Sequence, residues 1–133
     1  MRLAMVRALA VLVVVAGSRI AAQTESPHRT GPHGLEGWTL LNPIESQGDL
    51  PMTLVISQDK KIVHKFPGGP FVWSWIFLNG GRQVAYKSGP LHFSMACVLA
   101  DIRTGKEQAR FDCFAEPLPE NAPTWVKQLE AHR

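Results

Sequence analysis

The residues able to do chemistry cluster around two cysteines, one histidine and a run of aromatic rings. Cys97 and Cys113 are the only cysteines, and in an oxidising compartment two such thiols pair. His92, Met95 and Cys97 offer imidazole, thioether and thiolate within one short segment, a donor set that suits copper. Ser94 stands beside His92 in sequence, but no partner completes a nucleophilic triad. Phe71, Trp73, Trp75 and Phe77 alternate along the chain. Exposed, that stripe would be a platform for sugars or peptides; buried, it would be a core wall. Trp73, Trp75, Tyr86 and His92 are therefore the candidate ligand-binding residues. The sequence shows no phosphate-cradling glycine loop, zinc spacing or dinucleotide fingerprint, so no cofactor is expected.

What positions these groups begins with an expected leader over residues 1–22. Arg2 and Arg7 precede an apolar stretch at residues 8–17, and Ala21 and Ala22 come before Gln23. This is the pattern of a signal peptide cut after Ala22, with Ser18 the alternative site. The apolar run covers about ten residues against the roughly 20 that a helix needs to cross a bilayer, so no stable membrane span is expected after cleavage. The implied location is periplasmic or extracellular. Arg2, Arg7 and Arg19 account for three of the 14 Lys and Arg, leaving 11 against 11 Asp and Glu. The mature chain is then near neutral, with no basic stripe for nucleic acid.

Residues 23–37 are polar, rich in Gly, Pro and His, and without period. They read as a flexible tether to a single β domain over residues 38–133. Short apolar runs and turn residues then alternate, the signature of an antiparallel meander. Strands are expected at 38–41, 52–57, 61–66, 71–78, 82–87, 91–102 and 106–114, with a loop at 43–51. Ile62, His64 and Phe66 would share one face. The turn after 71–78 is either Asn79-Gly80, pairing Trp75 with Val84, or Gly80-Gly81, pairing Trp75 with Tyr86.

In the strand expected over 91–102, Phe93, Met95, Cys97 and Leu99 share a side and His92 points oppositely, which argues against a metal site. Gly105 suits the left-handed position of a tight loop, with Asp101 organising it. That turn would set Cys97 opposite Phe111 and Met95 opposite Cys113. The cysteines would then lie diagonally, and bridging Cα atoms about 4.4–6.8 Å apart calls for a register offset or local distortion. Residues 123–132 are expected to form a short helix docking Trp125 and Leu129 on the sheet.

Phe77, Gly80, Gly81, Val84, Ala85 and Tyr86, followed by Asp101, Thr104, Gly105 and Lys106, resemble one blade of a TolB-type or quinoprotein-type β-propeller. The resemblance covers about a quarter of the chain, and no second copy of the pattern is present, where a propeller needs roughly four or more blades. More broadly, GPLHFSMAC at 89–97, FDCF at 111–114 and APTWVKQLE at 122–130 are similar to segments of small exported bacterial proteins to which no activity is assigned. That resemblance implies an exported domain and no particular chemistry.

The sequence thus points to an all-β meander of five to seven strands, a small sandwich or half-barrel, with a C-terminal helix over one end. The expected function is a non-catalytic binding or interaction module for a protein or small ligand. The alternatives are a soft-metal or small-ligand carrier using residues 92–97, and a small hydrolase using Ser94.

Overall fold

A computed structural model describes residues 24–90 and 93–132; the expected leader, Gln23, Leu91 and His92 lie outside the described residues. The described residues form two antiparallel sheets and one α-helix. The first sheet contains β1 (Thr24–Glu25), β2 (Arg29–Thr30), β3 (Leu35–Ile44), β4 (Gly48–Gln58) and β5 (Lys61–Pro67). The second contains β6 (Phe71–Leu78), β7 (Gln83–Gly89), β8 (Ala96–Asp101) and β9 (Glu107–Asp112). Both are meanders: β3-β4-β5, with β1 and β2 both on the free edge of β3, and β6-β7-β8-β9. Helix α1 (Thr124–Glu130) follows.

Alternation sorts the apolar side chains into two cores. Between the sheets lie Leu35, Leu54, Ile56 and Phe66 from one side and Val72, Trp75, Val84, Tyr86 and Val98 from the other. The opposite face of the second sheet carries Ile76, Ala85 and Cys97, covered by Val126 and Leu129 of α1. The helix therefore lies on a sheet face rather than over an end. Val126 and Leu129 are its buried pair, and Trp125 is only partly buried against them, a difference from the expected Trp125–Leu129 docking.

The expected tether is instead part of the first sheet. Ser26 accepts the Thr39 N–H at 2.8 Å, and its own N–H donates to the Thr39 carbonyl at 2.9 Å. The His28 ring stacks on Trp38 with centroids 4.0 Å apart. Arg29 lies 3.7 Å from the centroid of Trp75 and donates to the Trp75 carbonyl at 2.5 Å. The polar residues that suggested a solvated linker are spent on an edge strand and on aromatic faces. The expected loop at 43–51 is also shorter, since β3 and β4 pair out to Ile44↔Gly48.

Bulges account for two further differences. Val63 has no partner between Ile56↔His64 and Ser57↔Ile62. One extra residue reverses the side-chain parity, so Ile62 is 55% exposed and does not share the inner face with His64 and Phe66. Trp73 is likewise unpaired between Val72↔Ser88 and Ser74↔Lys87. The aromatic stripe is broken there, and Val72 and Trp75 share the inter-sheet core. Beyond the bulge the register is the Gly80-Gly81 alternative, Trp75↔Tyr86 and Phe77↔Val84.

The strand expected at 91–102 begins only at Ala96. A Cβ on Gly89 would stand 2.3 Å from the Ser94 carbonyl oxygen, so residues 94–95 cross the end of β7 instead of extending the ladder. At the other end Gly105 takes φ 71°. Asp101 accepts both the Thr104 N–H, at 2.9 Å, and the Thr104 hydroxyl, at 3.0 Å, in the turn-organising role expected of it.

Candidate functional site

The strand register builds a trough on the inner face of the second sheet. Tyr86 pairs with Val98, and Val98 with Arg110; one step along, Ser88 pairs with Ala96, and Ala96 with Asp112. The middle strand thus presents small side chains, flanked by larger ones from β7 and β9. A cavity of about 810 Å³, open to solvent, lies over this floor and is also lined by residues 67–69 and by Ser94 and Met95. That size falls within the roughly 300–1,000 Å³ of small-molecule sites. Phe93 and Phe114 line it and are 74% and 56% exposed. Exposed rings beside a concavity mark recognition surfaces more often than scattered single ones do.

The polar groups of the trough are mostly committed. A bulge leaves Gln108 unpaired between Leu99↔Ala109 and Ala100↔Glu107. That puts residues three apart on one face, and Arg110 donates to Glu107 through Nε at 3.0 Å and Nη2 at 2.6 Å. Asp112 Oδ1 accepts the Phe114 N–H at 3.0 Å. Ser88 Oγ accepts the Gly69 N–H at 2.8 Å, leaving its own proton available. Tyr86 is only 9% exposed. Its pKa is raised, first by burial and then by Glu107, with Arg110 opposing, so the phenol stays protonated at neutral pH.

Of the candidate residues, Tyr86 lines the trough. Trp75 is buried in the inter-sheet core beneath Arg29. Trp73 donates its indole N–H to the Gly89 carbonyl at 2.9 Å and lines a separate cavity of about 510 Å³ with Arg29, Lys87 and Glu116. The structure therefore does not bring Trp73 and Tyr86 to one site, and His92 lies outside the described residues. Arg110, Asp112, Phe93 and Phe114 complete the trough without having been singled out. The legible signal was the small-residue alternation Ala96, Val98, Ala100 opposite Cys97 and Leu99.

Cys97 and Cys113 form a disulfide with Cα atoms 5.8 Å apart. Cys97 still faces Phe111, and the Cys113 N–H donates to the Met95 carbonyl at 2.8 Å. The pair is bridged without a register offset: beyond the end of β9 at Asp112 that hydrogen bond keeps Met95 opposite Cys113, and the cysteines stay diagonal. The disulfide fits an oxidising compartment. Both sulfurs sit under α1 near Glu130, and Glu130 accepts from Lys87 Nζ at 2.7 Å. Within this bridge there is no thiolate to hold a metal. His64 packs on Gly105 from the inter-sheet side, whereas Cys97 belongs to the helix-facing core, so the two do not converge. Neither a protein-family model nor a curated protein matches this chain.

Proposed function

We propose that the protein is an exported, non-catalytic binding module whose ligand occupies the trough over Ala96 and Val98. The observation that carries this is a ligand-sized concavity rimmed by two exposed phenyl rings and floored by small side chains. The leader pattern and the disulfide support an exported setting. For catalysis there is less support. Ser94 lines the trough, but among the described lining residues no histidine accompanies it, and Asp112 is engaged by the backbone. The soft-metal carrier likewise draws no support from an oxidised Cys97.

The test is amide-resolved NMR titration of the protein with a small-molecule set spanning neutral, anionic and cationic compounds. Binders are expected to shift the amides of Ala96, Val98 and Phe114, and Ala96→Trp, which fills the floor, is expected to abolish those shifts. Binders that perturb only the helix side, or that bind Ala96→Trp equally well, reject the site. Ester hydrolysis that survives purification and disappears in Ser94→Ala rejects the non-catalytic assignment. Mass mapping of the secreted chain's first residue, expected to be Gln23, tests the export step.

A further inference from the structure

The trough's chemistry narrows what it can accept, and this step rests on the binding reading above. Its two walls differ. On the β9 wall, Arg110 and Glu107 neutralise one another and Asp112 holds a backbone N–H. An anion entering here would lose hydration without gaining an uncommitted cation, which is costly, while the exposed Asp112 carboxylate offers a cation only a solvent-screened attraction. On the β7 wall the uncommitted groups are hydroxyl protons. Ser88 spends its oxygen on Gly69. Tyr86 is more than nine-tenths buried and lines the trough, and its hydroxyl makes no hydrogen bond with another described residue. Unlike the Trp38 indole N–H, this hydroxyl is not sealed from solvent, so water reaches it through the trough and a ligand acceptor would take that water's place.

We propose that the trough binds a neutral, largely planar apolar molecule carrying a carbonyl-type acceptor, its ring system between Phe93 and Phe114 and its acceptor on the Tyr86 hydroxyl. Exposed phenyl rings give offset or edge contacts to a flat partner, and Met95 beside them adapts to its outline. The raised pKa of Tyr86 keeps the donor proton in place across the neutral range.

The experiment is displacement of the neutral fluorescent ketone 6-propionyl-2-(dimethylamino)naphthalene from the oxidised protein. The competitors are 2-acetylnaphthalene, its near-isostere 2-ethylnaphthalene, which lacks the acceptor, and 2-naphthoate, which carries a charge. The acetyl compound is expected to compete about five-fold better than the ethyl compound, the worth of one neutral hydrogen bond, and naphthoate worst. In Tyr86→Phe the acetyl advantage should fall below about two-fold while the ethyl compound keeps its affinity, since only the hydroxyl is lost. Equal binding of the acetyl and ethyl compounds to the wild-type chain overturns the proposal, as does tightest binding by naphthoate. In those cases a probe that Ala96→Trp still excludes leaves the binding reading standing. A probe that fails to bind, or binds Ala96→Trp unchanged, overturns both.

Discussion

The two faces of β8 meet different fates although they belong to one six-residue strand. On one face Cys97 is closed in by a disulfide and by Leu129 and Val126, all essentially free of solvent. On the other, Ala96 and Val98 form a floor that the first sheet leaves partly uncovered toward residues 67–69. Small side chains facing a helix pull it close; small side chains facing the gap between two sheets leave room. The comparison assigns stability to the helix side and recognition to the trough side, and each assignment can be broken.

The largest effect is expected on the helix side. Leu129→Ala should cost about 2–5 kcal/mol in urea unfolding, since Leu129 is 0% exposed and its loss leaves a cavity. Ligand affinity of the folded fraction should be unchanged; a large affinity loss would show that the two faces are coupled. Cys97→Ala combined with Cys113→Ala should cost about 3 kcal/mol, the chain-entropy value for a loop of 16 residues, read as the midpoint difference under non-reducing conditions. Gly105→Ala should cost at least about 1 kcal/mol, because a left-handed φ is imposed on a side chain that would also meet His64. Partial recovery on adding His64→Ala would separate the collision from the backbone term.

On the trough side the effects invert. Phe93→Ser and Phe114→Ser should change stability by no more than about 0.5 kcal/mol, as exposed residues do, while weakening ligand binding. Thermal scans together with titrations decide this, and a stability loss matching the affinity loss would dissolve the distinction between the faces. The smallest effect concerns the turn joining β8 to β9. The Thr104 N–H, followed by the Thr104 hydroxyl, holds the Asp101 pKa below its ordinary 3.8. A lowered carboxylate pKa stabilises above the unfolded value, and that contribution is lost as pH falls through the folded one. Wild type should therefore exceed Asp101→Asn in melting temperature at pH 7, with the gap closing in acid below about 3.8.

Local chemistry carried most of the architecture. Gly80, Gly81 and Gly105 set turns because positive φ was required there, and alternation from Met52 through Phe114 announced pleated strands. Asp101 was legible because its partner is three residues away. The expected aromatic stripe failed at Trp73 because a bulge is an accommodation between two strands and leaves no mark on either one alone. Residues 24–37 misled for a related reason. Their partners, Thr39, Trp38 and Trp75, lie elsewhere in the chain, so their polarity looked like solvation.

By itself the sequence determined a disulfide-capable β meander with a C-terminal helix, since turns, alternation and thiol pairing act over short separations. Only the tertiary structure decided which faces closed and where the gap remained. Tyr86, Val98 and Arg110 become neighbours through two strand registers, and a cavity exists only where elements distant along the chain fail to fill the space between them.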